Sequence, residues 1–324
     1  MQETIQISVI VATRNRAASL KELLESLATQ QTDAQAAYEV LVIDNGSTDD
    51  TRQTVEALQI GFPAPLRYHY EPRPGKPWAL NAGMALAHGA ILAFTDDDVV
   101  ASPSWLSALH RCFLEERVDA VTGKILPCWL APRPAWLTDR AFRSVATLGC
   151  VNHGSVRRRT LDGQDCRWVG GNLAIRREAT VRVGDYDVRM ARSQDMEYYH
   201  RCLAQGLLIC YEPDAVVFHK VGPERMTPTY FRQWRRRTGY YNAAQMSWQA
   251  RDLVTVMPLW WYRVSGRLAW RWLRAVVVRR TWLERFRWEL LLQEQLGVLG
   301  YRIQMWPSRW RNVLPHTKAS SDGR

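Results

Sequence analysis

Ala90-Ile91-Leu92-Ala93-Phe94-Thr95-Asp96-Asp97-Asp98-Val99-Val100 is an apolar run that ends in three consecutive carboxylates. The run reads as a buried strand, so the acids fall at its carboxyl end, where open α/β sheets place their ligands. Alternation along a strand puts Asp96 and Asp98 on one face and Asp97 on the other. Two carboxylates on one side of a sheet edge form an oxygen-rich site suited to Mg²⁺ or Mn²⁺, above all when phosphates complete the shell. The same acids also fit a solvated turn, with an Asp capping the helix that starts after Ser102-Pro103-Ser104.

Upstream, strand and helix patterns alternate. Ile5 to Ala12 is a first strand, followed by the polar turn Thr13-Arg14-Asn15-Arg16 and a helix to about Gln30 with Leu20, Leu23, Leu24 and Leu27 on one face. Glu39 to Asp44 is a second strand, and Asn45-Gly46-Ser47-Thr48-Asp49-Asp50 caps a second helix to about Leu58. Leu66 to Tyr70 is a third strand, and Glu71 to Pro77 leads into the helix before the acid-tipped strand. This order argues for a mostly parallel, Rossmann-like central sheet flanked by helices.

Downstream come a helix (Trp105 to Glu116) and a strand (Ala120 to Ile125). Residues 127 to 165 are irregular, and their aromatic side chains Trp129, Trp136 and Phe142 favour a binding loop. Val169 to Ile175 resumes order, Ser193-Gln194-Asp195 caps a helix from Met196 to about Ala204, and Leu208 to Tyr211 and Ala215 to Phe218 read as two short strands before His219.

Charge divides the 324-residue chain unevenly. Residues 222 to 324 carry 19 Lys+Arg against 6 Asp+Glu, whereas the preceding residues are close to neutral. Eight of the 15 tryptophans lie in residues 253 to 324, interleaved with arginines. The longest uncharged run there is ten residues, too short to span a bilayer. The extension therefore reads as amphipathic helices in the interface of an anionic membrane, because Trp favours the headgroup level. A partner-docking helix pair and a nucleic-acid surface are the alternatives, and no nucleic-acid partner is expected. The six cysteines show no C-x-x-C pair and no zinc-like spacing, as in a reduced compartment, and Met1 to Thr4 does not open a secretory signal.

The order of motifs resembles the family 2 glycosyltransferases of the GT-A fold. It rests on Val11 to Arg16, Val42 to Asp49, Gly75-Lys76-Pro77-Trp78-Ala79-Leu80-Asn81-Ala82-Gly83, Thr95-Asp96-Asp97-Asp98, Gly170-Gly171-Asn172 and Gln194-Asp195-Met196-Glu197. The resemblance implies a catalytic domain over about residues 1–225, with a donor half to about 125 and an acceptor half from 126, followed by the helical extension 226–324. It implies inverting, metal-dependent transfer of a sugar from a nucleotide donor, usually a UDP-sugar, to a hydroxyl of a lipid-linked or polysaccharide acceptor. Together with the basic, Trp-rich extension, this gives the expectation of a cytoplasmic protein held peripherally on the inner face of the cell membrane.

Carried onto this chain, the resemblance gives Asp44 the uracil, Thr13 and Arg16 the base pocket, and Lys76 the nucleotide. Asp96 and Asp97 join the donor site. Asp98 and His219 would hold Mn²⁺ or Mg²⁺, and Asp195 would be the base. Trp168, Gly170, Gly171 and Asn172 would meet the acceptor or transferred sugar. The family's usual acidic pair is Glu-Asp, and here Gln194 replaces its first member, which leaves Asp195 as the candidate and Glu197 as a fallback. Asp44 is equally a turn-initiating Asp, and His219 equally a structural strand-end histidine. A nucleotidyltransferase is a second reading, although Thr13-Arg14-Asn15-Arg16 lacks glycine. A catalytically silent carbohydrate- or partner-binding protein is a third.

Overall fold

The computed structural model describes residues 5–32, 36–145, 148–160, 168, 170–190, 193–245 and 257–313. The chain forms two compact units, one of residues 1–132 and 148–222 and the other of residues 133–147 and 223–324.

In the first unit, β1 (Ile7–Thr13), β2 (Tyr38–Asp44), β3 (Leu66–Tyr70) and β4 (Ile91–Asp96) are parallel in the order β3-β2-β1-β4. Nearly every residue of β1, β2 and β4 is buried, as expected of strands covered on both faces. The covering helices are α1 (Ala17–Ala28), α2 (Thr51–Gln59) and α3 (Lys76–Leu86). Leu20, Leu23, Leu24 and Leu27 of α1 recur at helical spacing and are buried together.

Beyond β4 the sheet becomes mixed. β8 (Asn172–Arg176) lies antiparallel to β4 and to β6 (Ala120–Trp129), and β9 (Ile209–Val221) runs parallel to β6 and antiparallel to β5 (Val99–Ala101). The expected mostly parallel sheet therefore holds for its first half, and the strands after β4 supply the antiparallel pairings. Two expected strands after Leu208 are one strand, β9, whose pairing with β6 shifts register between Gly123 and Lys124. The expected irregular stretch after residue 127 instead contains the end of β6, α5 (Asp139–Val145) and β7 (Arg158–Thr160), which pairs with β9. Its residues 161–165 lie outside the described residues, as does Cys166. α4 (Trp105–Glu116), α6 (Arg177–Val183) and α7 (Gln194–Ala204) complete the unit's longer elements.

Asn172 shows why the antiparallel junction is rigid. Its side chain is fully buried, accepts from Trp105 Nε1 at 2.9 Å and donates to the carbonyls of Ala215 at 2.8 Å and Lys124 at 3.0 Å. Removing the amide orphans two buried polar groups and one partly buried carbonyl, so Asn172→Ala should cost roughly 3 kcal/mol. Urea unfolding should report this as a lower midpoint at nearly unchanged slope.

In the second unit, α8 (Pro228–Gln245), α9 (Leu259–Val277) and α10 (Trp282–Val313) are the long helices. A Cβ on Gly239 of α8 would clash with the Glu294 backbone of α10, and one on Gly297 would clash with the Arg236 backbone, so paired glycines let these two helices approach closely. Arg232–Glu289 and Arg235–Glu294 ion pairs flank the contact. Trp136 packs edge-on against Phe231, Trp282 and Phe286. The aromatic expected to serve a binding loop is thus part of this unit's packing. Among the described residues no helix is long and apolar enough to cross a membrane.

Candidate active site

Strand register gathers the site at one sheet edge. Thr13 is opposite Asp44 and Ala12 opposite Asp96, so the carboxyl ends of β1, β2 and β4 coincide. Thr95 pairs with Asn172, which sets Gly171 beside Asp96. Val99 pairs with His219, which sets β9 beside the end of the acid triplet.

The triplet departs from simple strand alternation because β4 ends at Asp96, and Asp97-Asp98 form the turn into β5. Asp97 is buried, accepts from Thr13 Oγ1 at 2.8 Å and pairs with Arg16 at 2.8 Å. Arg16 also reaches Asp98 Oδ2 at 3.1 Å. Burial opposes the guanidinium charge, but Asp97 and then Asp98 outweigh it and hold Arg16 above its ordinary value. Burial likewise pushes the Asp97 carboxyl above the usual carboxylate range, with Arg16 and Thr13 pulling the other way. Thr13 and Arg16, expected in a base pocket, thus direct their polar ends at the triplet.

Asp96 and Lys76 form an ion pair. Burial works against the ammonium charge, but the attraction of Asp96, with Asp195 and Asp97 behind it, raises the Lys76 pKa. Asn45 shapes the loop that delivers this lysine: it donates to the carbonyl of Arg73 at 2.7 Å and accepts from the amide of Gly75 at 2.7 Å. The Arg73 guanidinium stacks over Trp78, 4.0 Å from the ring centroid.

Asp44 is 2% exposed and accepts from the Ser47 amide and from the Tyr68 hydroxyl, each at 2.8 Å. The first bond is the turn-initiating role; the second belongs to a residue that sequence reasoning missed. Its signal was the alternation in Leu66-Arg67-Tyr68-His69-Tyr70, which sets Tyr68 opposite Val42 and near the end of β2.

Of the expected capping stretch Ser193-Gln194-Asp195, Ser193 stands at the cap position and Asp195 lies inside the first turn of α7. Its Oδ2 accepts from the Gly170 amide at 3.1 Å. A Cβ on Gly170 would stand 3.3 Å from the Asp195 Cβ, and one on Gly171 only 2.9 Å from Asp96 Oδ2. The glycine pair therefore lets backbone pass between two carboxylates, with Lys76 beside both. Glu197 is committed elsewhere, in an ion pair with Arg201 at 2.6 Å.

Two expected acceptor-site residues are corrected. Trp168 is 1% exposed and packs against Tyr198 and Tyr199, so its ring offers no open stacking face. Asn172 is consumed by the junction described above.

His219 Nε2 stands 3.5 Å from Asp98 Oδ1, both side chains being largely buried. Gly149, at φ +68°, brings its loop against the imidazole. Lys220 fixes this corner: its amide donates to the Asp98 carbonyl at 2.9 Å and its ammonium pairs with Glu22 at 2.7 Å. One carboxylate and one imidazole at this spacing are a mixed donor pair that suits Mn²⁺ better than Mg²⁺, which prefers oxygen ligands alone. Among the described residues no three His, Cys, Asp or Glu side chains converge on a cation position, so a cation here needs further ligands from substrate oxygens and water.

A family model described as "Glycosyl transferase family 2" matches residues 8–184. The chain is 24% identical to the glycosyltransferase AglE of Haloferax volcanii, over 67% of each chain. It is also 24% identical to the pre-mycofactocin glycosyltransferase of Mycobacterium tuberculosis over 82% of this chain, and spans about half (52%) of that relative's length. The fold matches the mannosyltransferase PcManGT of Pyrobaculum calidifontis, solved with GDP-Man and Mn²⁺, with a TM-score of 0.57 and 19% identity over 93% of this chain and 87% of that one.

Proposed function

The chain belongs to glycosyl transferase family 2, and from that premise we propose that it is an inverting, metal-dependent transferase moving a sugar from a UDP-sugar to a hydroxyl of a lipid-linked or polysaccharide acceptor. The observation that carries this reading is the convergence of Asp44, the Asp96-Asp97-Asp98 triplet and Asp195 on one sheet edge, with Gly170-Gly171 threaded between Asp96 and Asp195.

Asp44 is the acceptor for the uracil imide N–H, held in place by Tyr68 and Ser47. Asp96 faces the donor, with Lys76 balancing its charge. Asp98 and His219 are the residues that would hold a divalent cation, which when bound supplies Lewis-acid neutralisation of the diphosphate charge. Asp195, oriented by the Gly170 amide, takes the acceptor proton as the acceptor oxygen bonds to the anomeric carbon. The bond from that carbon to the diphosphate oxygen breaks in the same displacement, and the nucleoside diphosphate leaves. The work is done at the inner face of the cell membrane, to which the chain attaches peripherally. The AglE and pre-mycofactocin relatives, glycosyltransferases by name, and the GDP-Man and Mn²⁺ of the mannosyltransferase support the reaction class and the metal.

The test is release of nucleoside diphosphate from a panel of nucleotide sugars, with acceptor lipid extract and Mn²⁺. Faster release from one UDP-sugar than from GDP-, dTDP- and CDP-sugars is expected; release from none would overturn the reading, and preference for another base would overturn the uracil assignment. Asp44→Ala should weaken UDP binding by roughly 10- to 100-fold, the worth of a hydrogen bond to a charged acceptor. Calorimetric titration with UDP measures it.

A further inference from the structure

α9 turns an unusual face to solvent. Helices of this kind ordinarily bury their apolar stripe and expose a polar one. Here Trp261 is buried with Ala243, Met257 and Val298, yet Leu259, Trp270, Leu273 and Val277 are 75%, 59%, 53% and 70% exposed. At 3.6 residues per turn, Leu259, Gly266, Trp270, Leu273 and Val277 fall along one outward stripe, with Tyr262 at its edge. Arg263, Arg267 and Arg274 form a parallel row along one side of that stripe, and Arg271 lies just beyond it. The helix contains no acidic residue, so nothing within it neutralises the row.

We propose that this outward face of α9 lies in the headgroup region of an anionic bilayer. Leu259, Trp270, Leu273 and Val277 enter the interface, while the adjacent arginines contact lipid phosphates. An exposed apolar stripe alone would fit any partner, and the charge decides between them. A second copy docked along the same stripe would bring two unneutralised arginine rows to one seam, whereas an anionic surface neutralises each of them. Nucleic acid would satisfy the arginines and leave Leu273 and Val277 in water. This deepens the membrane placement proposed above and uses none of the transfer chemistry, so it stands or falls separately from the UDP-sugar reading.

The test uses the full chain without donor or acceptor. Vesicles of equimolar phosphatidylglycerol and phosphatidylcholine should carry the protein on flotation, and vesicles of phosphatidylcholine alone should carry much less. Trp270→Glu with Leu273→Glu should lower partitioning about tenfold or more, and Arg263→Gln with Arg267→Gln and Arg274→Gln should remove most of the salt dependence. Brominated lipid should quench wild-type tryptophan emission on binding, and the conservative Trp270→Phe should lose a measurable part of that quenching whatever the glutamate variant does to the fold. The proposal is overturned if the wild type fails to float. It is overturned equally if the α9 substitutions leave flotation and quenching unchanged. A dimer that Leu273→Glu dissociates, without vesicle binding, would assign the face to a second copy, and salt-dependent binding to an oligonucleotide in preference to vesicles would assign it to nucleic acid.

Discussion

Asp195→Asn should lower turnover by about 100- to 10,000-fold while donor affinity stays within a few-fold of wild type, the signature of removing a general base from a transition state. The substitution is nearly isosteric and can keep the Gly170 amide paired through the remaining carboxamide oxygen. Folding should therefore survive, and a loss would report on proton acceptance. Glu197 is no substitute, because both its oxygens engage Arg201. That arginine also donates to the carbonyls of Val183 and Asp185, which ties it to the fold. Glu197→Gln should accordingly have a much smaller effect on turnover than Asp195→Asn. Single-turnover kinetics with saturating donor separate the two; equal losses from both, or undiminished turnover in Asp195→Asn, would remove the base assignment.

Asp98→Asn should remove the metal-dependent part of donor affinity, by roughly 100-fold or more, since a cation at the diphosphate is worth several kcal/mol. In chelator the variant and wild type should bind the donor alike. The carboxamide preserves the shape of the turn and can still accept from Arg16, which separates the electrostatic loss from unfolding. His219→Ala should fall between the two, because it withdraws one neutral ligand and leaves the carboxylate. Donor titration with Mn²⁺ and with chelator measures all three. An Asp98→Asn chain with unchanged metal dependence would assign the cation to other residues.

The parallel half of the sheet was legible because parallel strands buried on both faces leave continuous apolar runs, and the polar turns after β1 and β2 mark their carboxyl ends. Asp44 and Asp96 could be placed at one edge from those runs alone. The antiparallel half was less legible because its contacts join residues far apart in the chain. Nothing near Val99 announces that it will pair with His219, or near Thr95 that it will pair with Asn172. Asn172 was assigned to the acceptor, yet it is the buried partner of an indole N–H 67 positions away. A fully buried Trp105 needs such an acceptor, and the polar start of the otherwise apolar Asn172-Leu173-Ala174-Ile175 was the available signal. Trp168 was misread for a related reason: its position beside Gly170-Gly171 suggested a sugar platform, while the side chains that enclose it, Tyr198 and Tyr199, lie on α7. Alternation along β4 also stopped at Asp96, two residues before the Asp98 that the pattern implied, and Arg16 reaches both Asp97 and Asp98 in the turn that follows.

The central claim, a metal-dependent UDP-sugar site on the edge formed by Asp44, Asp96 and Asp98, is tested most directly by thermal unfolding of the wild-type chain with a panel of nucleotide sugars, with and without Mn²⁺. Ligand at 100 times its Kd stabilises the native state by about 2.7 kcal/mol, enough to move the midpoint by a few degrees. One UDP-sugar with Mn²⁺ should raise the midpoint well beyond the sum of the shifts given by the sugar alone and the cation alone. A midpoint that no nucleotide sugar raises, or one raised equally in chelator, would contradict it.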